Sequence, residues 1–185
     1  MLELAPSVHG TEETLIGERY RVEQELARGG MGVVYRVRDE STGRSLALKR
    51  MLRDKLERPS HLALFQRECR TLASLRHPRI IAVYDYGCNF AGPHYTMELL
   101  SGADLKSHAP LHYREACRHL RDIACSLALL HAHKLVHRDV APRNVRITEE
   151  GRAKLIDFGA LTDFGKAEDA IGTPSCTAPE VLDHG

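Results

Sequence analysis

A glycine-rich turn near the start of the chain has the composition of a phosphate-binding loop. The turn Ala27-Arg28-Gly29-Gly30-Met31-Gly32 has no side chain at three of its positions, so backbone N–H groups could approach phosphate oxygens closely. A dinucleotide-binding fold would place a helix directly after the glycines, but Val33-Val34-Tyr35-Arg36-Val37 is typical of a strand. A plain hairpin turn is the other interpretation of this segment.

A lysine and a glutamate further along the chain could act on the same phosphates. Lys49 closes the apolar strand Leu46-Ala47-Leu48, and Glu68 lies at a helical position that leans toward the buried side. A buried carboxylate requires a cation, so Glu68 could hold the Lys49 ammonium toward the α- and β-phosphates of a nucleotide. The alternative is a surface ion pair, which would contribute only about 0–1 kcal/mol.

Three further motifs follow in the second half of the chain. They are His137-Arg138-Asp139-Val140-Ala141-Pro142-Arg143-Asn144, then Asp157-Phe158-Gly159, then Ala178-Pro179-Glu180. With the glycine-rich turn and the Lys49–Glu68 pair, their order and spacing resemble the signature of protein kinases over residues 18–185. The stretch from Gly29 to Tyr35 is most similar to bacterial kinases of the eukaryotic Ser/Thr type.

The resemblance implies a role for each matching residue. Asp139 would accept or orient the proton of the substrate hydroxyl, while Asn144 and Asp157 would hold Mg²⁺ against the phosphates of ATP. Met97 would be the gatekeeper residue beside the adenine. The residues that would bind ATP are Leu26, Gly29, Gly32, Val34, Ala47, Lys49, Glu98, Leu100 and Asp104. The apolar column of the family would be formed by Leu72, Tyr84, His137 and Phe158.

The catalytic segment departs from the family pattern at two positions. Ala141 lies where Ser/Thr kinases usually carry a lysine that neutralises the transferring phosphoryl group. Arg143 lies where many tyrosine kinases place a compensating arginine, so it is expected to join Lys49, Glu68 and Asp139 in catalysis. This segment alone leaves Ser/Thr and Tyr specificity open, whereas Gly172-Thr173-Pro174 favours Ser/Thr.

Two other departures concern the nucleotide site and the loop before Gly172. Arg146 stands where the family offers an apolar floor to the adenine; its stem is expected to cover the base while the guanidinium reaches solvent. Asp169 lies where relatives often carry a phosphothreonine. We expect it to pair with Arg138 and to order the loop without phosphorylation, the alternative being a solvated acidic loop.

The elements that must position these residues indicate an α+β, protein-kinase-like fold with two lobes. Alternating apolar residues predict a five-stranded antiparallel sheet and one helix over residues 18–100, after a flexible tail at 1–17. Strands are expected at 80–86 and 94–100. Residues 101–185 are expected to form a mainly helical and incomplete second lobe that ends after Ala178-Pro179-Glu180, with a long helix at 113–133.

Composition limits the classes of partner. With 26 basic and 25 acidic residues, the chain has no bulk charge that would attract nucleic acid, and no apolar run approaches the length of a membrane span. Five cysteines without a CxxC spacing favour free thiols in the cytoplasm. The resemblance implies a protein substrate with a Ser/Thr hydroxyl. The alternatives are a pseudokinase that binds nucleotide or partners without efficient transfer, and a truncated kinase fragment.

Overall fold

An antiparallel sheet forms the first half of the molecule, a computed structural model that describes residues 15–165 and 172–182. Its strands are β1 (Leu15–Ile16), β2 (Tyr20–Arg28), β3 (Gly32–Asp39), β4 (Ser45–Met51), β5 (Val83–Asn89) and β6 (Gly92–Met97). They are ordered β1-β2-β3-β4-β6-β5. The period of two along β3 buries Val33, Tyr35 and Val37 in a small core beneath the sheet.

The sheet has six strands where the sequence predicts five. The additional strand β1 pairs with β2, and its Ile16 is fully buried in the small core. The flexible tail predicted for residues 1–17 is therefore wrong at residues 15–17, while residues 1–14 lie outside the described part. Two residues are too few to show a strand period, so the sequence pattern could not reveal β1.

The predicted strands at 80–86 and 94–100 are each displaced by about three residues. Ile80 and Ile81 are buried in the main core, where Ile80 forms a parallel bridge with Leu155 instead of joining the sheet. β5 consequently begins only at Val83. Tyr84 is 49% exposed, so its assignment to the apolar column is wrong, and the neighbouring Val83 packs against the main core instead.

Helix α1 (Pro59–Ser74) carries the predicted glutamate on its buried face. Pro59 occupies the first turn, where a missing N–H costs nothing. Phe65, Glu68 and Leu72 recur at spacings of three and four and are all buried. The chain becomes extended at Leu75, which ends the helix before the predicted stop at His77-Pro78.

The second half contains the long helix α2 (Tyr113–Ala132) and several short elements. These are β7 (Leu135–Val136), β8 (Val145–Ile147), β9 (Ala153–Leu155), β10 (Thr162–Asp163) and α3 (Pro179–Leu182). β8 pairs with β9 and β7 pairs with β10, both antiparallel. The two-lobe α+β fold is therefore confirmed, and the segments that carry Asp139 and Asp157 follow β7 and β9 respectively.

A buried carboxylate on α2 fixes β9 and hence the segment that follows it. Asp122 accepts hydrogen bonds from Arg152 Nε at 2.9 Å and Nη2 at 2.7 Å, and from the Ala153 N–H at 3.2 Å. Arg79 Nε lies 3.4 Å from the same carboxylate. The Arg152 hydrogen bonds lower the pKa of Asp122 to about 2, against the effect of burial. Asp122 thus stays ionised and anchors the entry to Asp157.

Candidate active site

Lys49 and Glu68 form a buried ion pair between β4 and α1. Lys49 Nζ lies 2.8 Å from Glu68 Oε1 and 3.0 Å from Oε2, and the two side chains are 12% and 5% exposed. The Tyr95 hydroxyl donates to Glu68 Oε1 at 3.1 Å, and Asp157 Oδ1 lies 3.5 Å from Lys49 Nζ. The ion pair predicted from the sequence is confirmed as a buried one, and the surface alternative is wrong.

The charge of Lys49 depends on its neighbours. Burial alone would lower the pKa of the ammonium, but the nearby Glu68 and Asp157 carboxylates hold the pKa well above its ordinary value. Burial raises the pKa of the Tyr95 hydroxyl, so this group stays neutral and donates a hydrogen bond to Glu68. A buried cation therefore lies between β4 and α1, next to the Asp157 carboxylate.

Asp139 is held by three side chains from two segments. Asn144 Nδ2 donates to Asp139 Oδ2 at 2.8 Å and to the Asp139 carbonyl at 2.9 Å, and Arg143 Nη2 approaches Oδ2 at 3.3 Å. Thr173 Oγ1 donates to Asp139 Oδ1 at 2.6 Å. Burial opposes ionisation, yet these hydrogen bonds lower the pKa of Asp139, so the group remains a carboxylate able to accept a proton.

The contact from Thr173 was not predicted, although its neighbours give a reason for it. Gly172 has a φ of +133°, and an added Cβ would lie 2.6 Å from the Arg138 carbonyl, so the backbones touch there. The Thr177 hydroxyl donates to the Thr173 carbonyl at 2.9 Å and fixes the turn. A Gly-Thr-Pro sequence in a loop carries no period, so only a family motif marks it.

His137 packs beneath the catalytic segment as a neutral imidazole. Its Nδ1 accepts the Asp139 N–H at 3.3 Å, and its ring meets Phe158 edge-on with 4.9 Å between centroids. The buried Nε2 has no hydrogen-bond partner among the described residues. Burial, the largest influence, lowers the pKa of His137 despite the nearby Asp157 and Asp139 carboxylates. The contact with Phe158 confirms this part of the predicted apolar column.

This buried imidazole predicts a loss of stability on mild acidification. Below the ordinary histidine pKa of 6.5, His137 binds a proton in the unfolded chain but stays neutral in the folded protein. The free energy of unfolding therefore falls as pH falls from 6.5 toward the lowered pKa of the folded state. His137→Phe should reduce the fall in melting temperature between about pH 7.5 and pH 5.5. His77 and His119, whose pKa values are also lowered by burial, should contribute to the fall that remains.

Thermal unfolding at the two pH values measures the effect of His137. His133→Phe is the matched control, because His133 is exposed and the slope should stay that of the native chain. Equal slopes for His137→Phe and the native chain would contradict the assignment.

The glycine-rich turn joins β2 and β3 in a hairpin. The Gly29 N–H donates to the Gly32 carbonyl at 2.9 Å, which closes the turn between β2 and β3. A Cβ at Gly32 would lie 2.7 Å from the Arg50 carbonyl, whereas Gly30 has no atom within 4 Å of such a Cβ. Among the predicted adenine contacts, Leu26 is 38% exposed, Val34 is half-buried and Ala47 is buried.

The connector, residues 98–104, joins β6 to the second lobe. The Glu98 N–H donates to the Ala82 carbonyl at 2.9 Å, so a purine contact at Glu98 would fall to its own carbonyl oxygen. Leu100 is half-buried and packs against the main core. Asp104 Oδ1 accepts hydrogen bonds from the Ser107 N–H at 2.8 Å and the Ser107 hydroxyl at 2.9 Å. Its predicted role on the ribose would have to use the carboxylate while it caps this turn.

Arg146 differs from its expected orientation. Arg146 Nη1 donates to the Gly102 carbonyl at 2.6 Å, so the guanidinium binds the connector and is not directed to bulk solvent. The predicted pairing of Asp169 with Arg138 lies outside the described residues and remains a prediction. In the described part of the same loop, Asp163 forms an ion pair of 3.0 Å with Arg67 of α1.

The donor set fits a magnesium ion bound together with phosphate. Asn144 Nδ2 donates to Asp139, which leaves the Asn144 Oδ1 oxygen available as a metal ligand. The Asp157 side chain lies beside Lys49 and is 52% exposed. The Ile156 N–H donates to the Asn144 carbonyl at 2.9 Å, so the backbone just before Asp157 is bonded to that of Asn144. Within the described residues, no three His, Cys, Asp or Glu side chains lie together as a metal site.

Comparison with known proteins agrees with this geometry. The family model for the protein kinase domain matches residues 20–185. A probable serine/threonine-protein kinase of Streptomyces coelicolor is 36% identical over 91% of this chain and 27% of its own length. The serine/threonine-protein kinase PknA of Mycobacterium tuberculosis is 38% identical over 90% of this chain and 42% of its own length.

The chain thus spans less than half the length of the curated relatives it matches. Across the described residues, none of the helices is both long and apolar enough to cross a membrane. The family model covers nearly all of the chain, including the glycine-rich turn, Lys49, Glu68 and the segments that carry Asp139 and Asp157. The chain belongs to the protein kinase domain family.

Proposed function

We propose that this domain is an ATP-dependent protein serine/threonine kinase. The observation that supports this most is the buried Lys49–Glu68 pair with Asp157 beside it, linked through the Ile156–Asn144 backbone bond to Asn144, which holds the ionised Asp139. Serine/threonine specificity is supported by the relatives, which are named serine/threonine-protein kinases, and by Thr173, which lies against Asp139. A protein that only bound nucleotide would not need an ionised Asp139 whose oxygens are oriented by Asn144 and Thr173.

The proposed reaction uses each of these groups once. The substrate hydroxyl oxygen attacks the γ-phosphorus of ATP, the bond to the β,γ-bridging oxygen breaks, and ADP leaves as the hydroxyl proton passes to Asp139. Lys49 holds the α- and β-phosphates in line. Mg²⁺, held by Asn144 and Asp157, would neutralise phosphate charge. Arg143, 3.3 Å from Asp139, offers the cation that Ala141 cannot supply.

Transfer of label from γ-labelled ATP to a generic basic protein, with Mg²⁺ present, tests this function. The purified chain should label the substrate, and MgATP should raise its melting temperature because ligand binds only the folded state. A thermal shift without transfer would indicate nucleotide binding alone and contradict the proposal.

All five cysteines are unpaired, which supports the further proposal that the domain works in a reducing compartment such as the cytoplasm.

A further inference from the structure

The connector lies across one face of the β8–β9 hairpin. Arg146 and Lys154 are directly opposite each other in the register of these strands, so their side chains leave the same face. Their neighbours Val145 and Ile147 point to the other face and are buried in the main core. The face that meets the connector therefore presents two cations.

Lys154 holds the start of the connector. Its Nζ lies 2.6 Å from both Oε1 and Oε2 of Glu98, and the two side chains are only 17% and 18% exposed. Glu98 Oε1 also accepts the Ala82 N–H at 2.8 Å, while the Glu98 N–H returns to the Ala82 carbonyl. One carboxylate thus joins β9, the connector and the segment after α1.

Arg146 holds the end of the connector. Arg146 Nη1 donates to the Gly102 carbonyl at 2.6 Å. The next residue on β8, Ile147, donates its N–H to the Ala103 carbonyl at 3.0 Å. A Cβ built on Gly102 would lie 1.5 Å from the Ile147 carbonyl oxygen, so the two backbones are in direct contact. Leu99 and Leu100 lie between these two fixed ends.

We propose that Lys154 and Arg146 are positioning residues for nucleotide binding, which act by fastening the two ends of the connector to the β8–β9 hairpin. The inference rests on the proposed function, because the backbone between these ends is where a purine would be bound. Charge-assisted hydrogen bonds in a partly buried setting hold backbone more firmly than neutral ones. Among the described residues neither cation hydrogen-bonds to Asp139, so the fastening should change nucleotide affinity far more than the transfer step.

The test compares the Kd for MgATP and the kcat of Lys154→Met, Lys154→Arg and the native chain. Lys154→Met should raise Kd about tenfold, because small displacements of binding groups have effects of this size, while kcat changes by less than about twofold. Lys154→Arg keeps a charged donor and should bind nearly as the native chain does. Arg21→Met removes the exposed ion pair with Glu40 on β2 and is the matched control with unchanged Kd.

Hydrogen exchange of the Ala82 and Glu98 amides gives a reading that does not need nucleotide. Both amides should lose protection in Lys154→Met and keep it in Arg21→Met. A Kd within about twofold of native in Lys154→Met, or unchanged protection, overturns the inference. If Lys154→Met fails to fold, Lys154→Gln is judged by the same two measurements. A native chain that binds no MgATP would refute the proposed function, while the exchange result would still decide whether the fastening exists.

Discussion

Asp139→Asn should lower kcat about a thousandfold and leave the Kd for MgATP within about twofold of the native value. The carboxamide keeps the size of the side chain and one oxygen to accept the Thr173 hydroxyl. It cannot take a proton from the substrate hydroxyl, and its NH₂ would face either Thr173 or the Asn144 amide that now donates to Oδ2. Affinity is retained because none of these bonds joins Asp139 to Lys49 or Asp157, and because Asn144 contacts Asp139 through Nδ2 and not through Oδ1, the oxygen that would hold Mg²⁺.

Single-turnover labelling with excess enzyme measures the transfer step of Asp139→Asn, and a nucleotide titration measures Kd. Asp54→Asn is the matched control, because Asp54 is an exposed carboxylate paired only with neighbouring Lys55 and should leave both values unchanged. Transfer by Asp139→Asn at more than about a tenth of the native rate would exclude Asp139 as the proton acceptor.

Lys49→Met should abolish detectable transfer and also destabilise the fold. Removing the cation leaves the Glu68 carboxylate at 5% exposure with the Tyr95 hydroxyl as its remaining donor. Breaking a buried ion pair from one side typically costs about 3–5 kcal/mol. The free energy of unfolding, measured by urea denaturation, should therefore fall by an amount of this order.

The double variant Lys49→Met/Glu68→Gln separates the two effects of this substitution. A neutral amide needs no counter-charge, so the double variant should regain most of the lost unfolding free energy and still show no transfer. Recovery of transfer along with stability would mean that Lys49 acts only through the fold. No recovery of stability would mean that the cost of Lys49→Met does not come from the unpaired carboxylate.

The sequence predicts the orientation of Glu68 better than it predicts the bounds of the strands. Glu68 could be oriented before the structure was known because Phe65 and Leu72 define the buried face of α1 around it. Ile80 and Ile81 look like the start of a strand, but their apolar side chains serve the main core through contact with Leu155. An apolar run tells that residues are buried, and not which surface buries them.

Some contacts that join distant segments could not be predicted, for a related reason. Lys154 meets Glu98 across 56 residues, and Arg152 meets Asp122 across 30. A charged side chain on a short strand reads as solvent-exposed in sequence, because no period distinguishes a paired charge from a free one. Arg146 shows the same limit, since its departure from the family pattern was visible while the carbonyl that receives its guanidinium was not.

The absence of a side chain at Gly102 restricts how this region can vary among related proteins. Because the Ile147 carbonyl occupies the place where any β-carbon would be, main-chain atoms set the smallest spacing between connector and hairpin at this point. Substitutions can then accumulate at Ser101 or Ala103, whose residues are exposed, without altering that spacing. Any residue other than glycine at position 102 would force one of the two backbones to move.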